Sequence, residues 1–429
     1  MRYFSTNRNS PHVSFREAVL TGQPEDKGLY FPETIPNLSA DFLETFYGKS
    51  NEQIAFEVIK PYVSDSIPDE KLFDICSETV NFTFPLVEIS ENISALELFH
   101  GPTLAFKDVG ARFMSRCLQY FSLERSEITI VIVATSGDTG GAVANGFYGI
   151  EGVEVIILYP KGKVSKVQEL QLTTLGGNVT TLELHGTFDD CQALAKKALV
   201  DTELQTIFLT SANSINVARW LPQQFYYFYA LKHWQGAPPV IAVPSGNFGN
   251  ICAGLLANAS GLPATKFIAA CNSNDVIPRF MNSGVLEPTM SVSTLSNAMD
   301  VGDPSNFVRI LEMFDNKIAS LRERLEAVSV SDKETAETMR EVYGMHGYIL
   351  DPHGAVGFHA LFNYLERHPG QKGIFLETAH PVKFETVEKI IGTYGEVPES
   401  VKELMGIEKQ AIEIGMNYEE LKEIILTKA

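Results

Sequence analysis

The chain has 429 residues, 45% of them hydrophobic and 20% charged, which is enough apolar material for about two to three domains with their own cores. Its 34 basic and 53 acidic residues leave a formal net charge of −19. An acidic surface repels a phosphate backbone and anionic lipid alike, so nucleic-acid and membrane partners are disfavoured, while a small anion in a local basic pocket is not.

Residues 1–13, MRYFSTNRNSPHV, carry no apolar leader, and the longest apolar runs, 128–134 and 153–159, have seven residues each. A membrane helix needs about 20. The five cysteines are scattered, with no CxxC pair. They read as buried thiols of a reducing, cytoplasmic compartment, and neither a disulfide frame nor a metal site is expected.

In chain order, residues 1–84 mix turn signals with helical stretches at 40–47 and 51–59, the second capped by Asn51. From about residue 85 strands and helices alternate. Residues 128–135 form a continuous β-branched run, as for a strand covered on both faces. Further strands are expected at 153–159, 179–184, 206–210, 239–243, 266–271 and 373–377, with a helix at 165–175. Helices then dominate at 307–328, 332–344, 355–365 and 417–428. The pattern predicts an α/β fold with two parallel-type sheet domains, 85–235 and 236–429, and an N-terminal helical appendage, 1–84.

Three stretches carry chemistry. Residues 97–114 read ELFHGPTLAFKDVGARFM. Lys107 follows an apolar triplet, where lost solvation lowers an ammonium pKa and frees a nucleophile toward an aldehyde. The alternative is a lysine paired with Asp108 at a helix start. Residues 135–142, TSGDTGGA, lie at a strand end and open a helix. Ser136, Thr139 and free amides there suit a carboxylate or phosphate, or simply make a tight turn. Residues 244–250, PSGNFGN, form a second such turn, with glycines that let amides approach a phosphate and no Walker ending. In ETAHPVKF, residues 377–384, the Thr378 hydroxyl suits a neutral ring nitrogen, while His380 reads as structural.

Together, and in this order, these stretches resemble the threonine synthase family of fold-type II pyridoxal-phosphate enzymes. The resemblance spans nearly the whole chain, including YFST (3–6), GLYFP (28–32), SANSINVAR (211–219) and TLSNAMDVGDPSN (294–306). It implies that Lys107 binds pyridoxal 5'-phosphate through its amine. It implies that Gly246, Asn247, Phe248 and Gly249 cradle the cofactor phosphate and that Thr378 bonds the pyridine nitrogen. Ser136, Asp138 and Thr139 would lie near the substrate carboxylate and the ring. The implied reaction takes O-phospho-L-homoserine and water to L-threonine and phosphate, in a monomer. The substrate phosphate needs cations, and the candidates are Arg112, Lys161, Lys163, Lys166 and Arg219. Three positions depart from the family or from its relatives. The run Asn7-Arg8-Asn9 replaces a common Arg-Gly pair. Gly354 follows His353 where members often carry a threonine, so a hydroxyl contact is missing. Asp138, where related enzymes have asparagine, needs a proton or a cation beside it. The nearest rival is a β-eliminating dehydratase, which needs no second phosphate pocket.

Overall fold

The computed structural model describes residues 1–63, 65–122 and 127–429. Two parallel sheets form its centre. The five-stranded sheet runs in the order Ile412–Ile414, Val179–Leu184, Val153–Pro160, Thr129–Ala134, Phe208–Ser211, all parallel. Every residue of Thr129–Ala134 is buried. Ile130 and Ile132 face one apolar layer, and Val131 and Val133 the other. This is why the run is β-branched without alternation.

The six-stranded sheet has the order Leu325–Ser329, Lys266–Cys271, Val240–Pro244, Gly373–Glu377, Ile93–Glu97, Leu86–Ser90, and its last pair is antiparallel. The sheets therefore interleave along the chain, contrary to the continuous division at residue 235. The 86–97 hairpin joins the sheet of the second half, and strand Ile412–Ile414 returns to the sheet of the first. Three residues of strand at 412–414 are too short to leave a period, so their partner decides them.

Other differences have local causes. The helix expected over 307–328 is Phe307–Met313, Ile318–Arg324 and strand Leu325–Ser329. Asp315 and Asn316 take φ of 51° and 58°, which ends the first helix, and 325–329 pairs with Lys266–Cys271. Ser50, not Asn51, caps helix Asn51–Val63, exchanging bonds with Gln53, because Asn51 is already inside the helix and accepts from Lys232. The N-terminal part is not only helical. Strands Arg2–Ser5, Val13–Ser14 and Tyr30–Pro32 make a small antiparallel sheet. The five cysteines are buried and free. Among the described residues no helix is long and apolar enough to cross a membrane.

Helix Lys107–Ser122 lies unusually close to the segment carrying Arg219. A Cβ at Gly110 would come within 2.5 Å of the Arg219 carbonyl oxygen, a backbone atom that cannot step aside. Gly110→Ala is expected to destabilise the chain by about 2–3 kcal/mol, read as a lower denaturant midpoint with unchanged slope.

Candidate active site

Both sheets turn the carboxyl ends of strands toward one cavity of about 860 Å³, lined among others by Lys107, Ser136, Asp138, Thr139, Arg219 and Thr378. Ligands of open α/β sheets bind at such ends, where loop amides and helix N-termini converge.

Lys107 opens helix Lys107–Ser122. The loop before it is laid against the 378–380 segment. Phe106 N donates to Thr378 O at 2.9 Å, His380 N donates to Leu104 O at 3.0 Å, and Ala105 and Ala379 form an antiparallel bridge. The Tyr226 hydroxyl donates to Phe106 O. This backbone registry separates the two readings of Lys107. Asp108 turns away, accepting from Thr103 N at 2.9 Å and from the Thr103 hydroxyl. Lys107 Nζ instead lies 3.8 Å from Asp138 Oδ2, with 18% of its side chain exposed. Burial lowers its pKa from the ordinary value; Asp138 opposes this, and Lys383 and Arg219 reinforce it.

Asp138 begins helix Asp138–Phe147 after Gly137, whose φ of 148° suits only glycine. The Thr135 hydroxyl accepts from the amides of Gly137 and Gly140 at 3.0 and 2.9 Å, which locks this turn. The cation that Asp138 needs is Lys383. Its Nζ sits 2.8 Å from Asp138 Oδ1 and 2.6 Å from Thr103 O, with a fully buried side chain. Gln168 Nε2 donates to the same oxygen at 2.9 Å. Burial pushes the Asp138 carboxyl up, but Lys383 and then Lys107 overcome it and hold it well below the usual carboxylate range. Sequence reasoning missed Lys383. The stretch ETAHPVKF drew attention through Thr378 and His380, and no spacing marks its lysine as reaching residue 138. His380 accepts from Val382 N, packs on Phe99 and is held neutral, burial pushing its pKa down to about 4.

The 244–250 turn runs from strand Val240–Pro244 into helix Gly249–Ala259. Phe248, at φ 62°, occupies the left-handed cap position. The first intrahelical bond of this turn is Cys252 N to Phe248 O, so the amides of residues 246–249 precede the helical ladder. Gly246 permits close packing, since a Cβ there would lie 2.7 Å from Met299 Cα. Asn247 Nδ2 donates to Ser214 Oγ at 2.8 Å, and its Oδ1 accepts from Ser305 N at 2.7 Å. These bonds tie three of the recognised motifs into one wall. A desolvated lysine in the same cavity as a glycine turn with forward amides fits a phosphate-bearing aldehyde.

Arg219 lines the cavity, 3% exposed, and donates to Ala212 O; burial lowers its pKa to about 10. Two expected cations do not reach the cavity. Arg112 projects from the far side of its helix and donates to Glu78 O and, at 3.0 Å, to Asn81 Oδ1. Lys161 follows the end of its strand and pairs with Glu413 at 2.7 Å on the surface. Lys163 and Lys166 do not line it either, whereas Lys27 and Lys196 do. Asn7 also lines the cavity, while Arg8 pairs with Glu312.

Residues 2–80 match the family profile "Threonine synthase N terminus", residues 86–376 "Pyridoxal-phosphate dependent enzyme" and residues 354–425 "Threonine synthase, C-terminal". The chain is 43% identical over 434 residues to the threonine synthase of Buchnera aphidicola subsp. Schizaphis graminum, covering 100% of each. It superposes on the crystal structure of Escherichia coli threonine synthase with a TM-score of 0.93 at 40% identity, covering 100% of both chains. A threonine synthase from Brucella melitensis with pyridoxal phosphate bound also gives 0.93, at 33% identity, covering 100% of this chain and 99% of that one.

Lys383→Met leaves the Asp138 carboxylate buried without its nearest cation, so a loss of about 3–5 kcal/mol is expected at pH 7. The Asp138 carboxyl is depressed in the folded chain, so its stabilisation is present above its ordinary value of 3.8 and is lost as pH falls below it. Denaturation at pH 7 and at pH 3.5 should therefore show the deficit of Lys383→Met shrinking in acid.

Proposed function

Because the chain belongs to the threonine synthase family of pyridoxal-phosphate enzymes, we propose that it converts O-phospho-L-homoserine and water to L-threonine and phosphate, the last step of threonine biosynthesis. The observation that carries this reading is the desolvated Lys107 amine, 3.8 Å from Asp138, in one cavity with the Gly246 cradle.

The residues divide the work as follows. Pyridoxal phosphate, when bound, supplies an aldehyde that joins amines and a ring that takes up negative charge. Lys107 would hold it through its amine, the amides of Gly246, Asn247, Phe248 and Gly249 would hold its phosphate, and the Thr378 hydroxyl would bond its ring nitrogen. The amine of Lys107 takes the proton from the substrate α-carbon and, being mobile, serves the later transfer at the β-carbon. Its lowered pKa keeps a share of it unprotonated for that work. Asp138, kept ionised by Lys383, is the counter-charge for Lys107 in its protonated state. The hydroxyls of Ser136 and Thr139, at the start of helix Asp138–Phe147, suit the substrate carboxylate. We assign the phosphate that leaves the γ-carbon to Arg219, Lys27 and Lys196, the cations that line the cavity away from Lys107 itself. A monomer acting in the cytoplasm completes the reading, and light scattering of the purified chain tests its subunit count.

Incubation with O-phospho-L-homoserine is expected to release threonine and phosphate in equal amounts. Release of a keto acid instead would favour the dehydratase reading. Lys107→Ala is expected to lose turnover and the borohydride-reducible cofactor adduct together. Gly246→Ala, whose Cβ would meet Met299 Cα at 2.7 Å, is expected to weaken cofactor binding about tenfold or more, measured by titrating the stripped chain.

A further inference from the structure

Behind Thr378 lies a buried acid cluster that the reaction does not use. Glu377, fully buried, ends strand Gly373–Glu377 beside Glu97 of the neighbouring strand. Its Oε1 accepts from Asp351 N at 2.7 Å, and its Oε2 is buried with no hydrogen-bond partner. That oxygen lies 1.4 Å from where a Cβ at Gly354 would stand, so the carboxyl occupies the space of the missing side chain. Asp351, also fully buried, caps helix Pro352–Arg367 and accepts from His353 N at 2.7 Å and from His353 Nδ1. With Nδ1 donating, His353 Nε2 is free to accept, and it takes Ala298 N at 3.2 Å. Ala298 and Met299 are the backbone against which Gly246 packs.

We propose that Gly354 and Glu377 are a matched pair that makes Glu377 a positioning residue. Its carboxyl fills the place of a side chain at 354 and holds Asp351 and His353 in the pose that clips the 298–299 backbone onto the Gly246 turn. The Thr378 wall and the Gly246 wall of the cavity are thereby joined. This rests on the reading of the cavity given above. The groups facing Glu377 are Asp351 and His353 at the start of helix Pro352–Arg367, Glu97 on the adjoining strand, and Tyr348, whose hydroxyl donates to Glu97 at 2.9 Å. Burial first, then the Asp351 charge, raises the Glu377 carboxyl well above its ordinary value, so it stands there neutral beside an ionised Asp351. A neutral carboxyl is the form that tolerates a dry seat against a carboxylate.

A double-mutant cycle on the full chain tests the pairing, reading cofactor affinity and the denaturation midpoint. Gly354→Ala alone drives the carboxyl out and is expected to weaken pyridoxal-phosphate binding about tenfold or more. In a Glu377→Ala background the same change is expected to cost under about threefold. A Gly354→Ala chain that misfolds while the double variant folds supports the pairing equally, and equal losses in the two backgrounds overturn it. Glu377→Gln supplies a second measurement, since it keeps the shape without a titrating proton. A carboxyl whose folded value is raised stabilises below its ordinary 4.5 and loses that contribution as pH rises through the folded value. The melting temperature of Glu377→Gln relative to the parent is therefore expected to climb between about pH 5 and pH 8. A flat difference overturns the neutral seat. Both readouts concern the chain itself, whereas threonine formation is scored separately, so failure here and failure of the proposed reaction are distinguishable.

Discussion

The site is organised around one buried charge, the carboxylate of Asp138. A carboxylate in a dry interior is costly unless cations and donors surround it, and removing one of them exposes most of that cost. Asp138 obtains Lys383 from the 378–384 loop, Gln168 from the next helix and Lys107 from the helix across the cavity. Lys383 bonds Thr103 O as well, and so fastens the loop that delivers Lys107. One ion pair thus sets the relative positions of three chain segments more than 200 residues apart at their extremes. The same carboxylate tempers the lowering of the Lys107 pKa, so structural and chemical roles share a single oxygen pair.

Around this centre, close approach is obtained by omitting side chains. Gly137, Gly110, Gly246 and Gly354 each stand where a Cβ would meet a neighbour at 2.7 Å or less, and the neighbours are parts of the cavity wall. Wall strength comes from short polar side chains: Asn247, Ser214, Ser305 and Asn306 bond one another and the buried Arg309. The net charge of −19 describes the outer surface. Inside, the electrostatics are decided by four or five lysines and arginines, most of them with carbonyls or carboxylates at bonding distance.

Long periodic runs and strand-end turns were legible in the sequence. The β-branched run at 128–135 needed no tertiary information, and the glycine turns at 135–142 and 244–250 lie at the carboxyl ends of their strands, on the cavity. Lys107 was legible as a candidate, although its choice between Asp108 and Asp138 was not, because Thr103 claims Asp108 through a turn closed by long-range bonds. Lys383, Asp351 and Glu377 were illegible for one shared reason. Their partners lie 245, 26 and 23 residues away, and nothing local to a buried ion marks where its counter-charge will come from. Arg112 and Lys161 failed for the converse reason: proximity in sequence to a motif does not say which face of a helix or strand end a side chain takes. Strands of three residues, such as Ile412–Ile414, carry too little pattern to be found before their partner is known.

That last strand has a consequence for the birth of the molecule. Val179–Leu184 is an edge until Ile412–Ile414 docks on it, and synthesis of the one precedes the other by more than 220 residues. A nascent chain therefore carries an open, partly apolar strand edge throughout most of its translation, a template for pairing with a neighbour. The sheet that bears the Asp138 turn is finished only when the final helix, Tyr418–Lys428, is about to follow. A ribosome that stops short of residue 412 releases a protein whose reaction centre is encoded in full but whose β-edge invites aggregation.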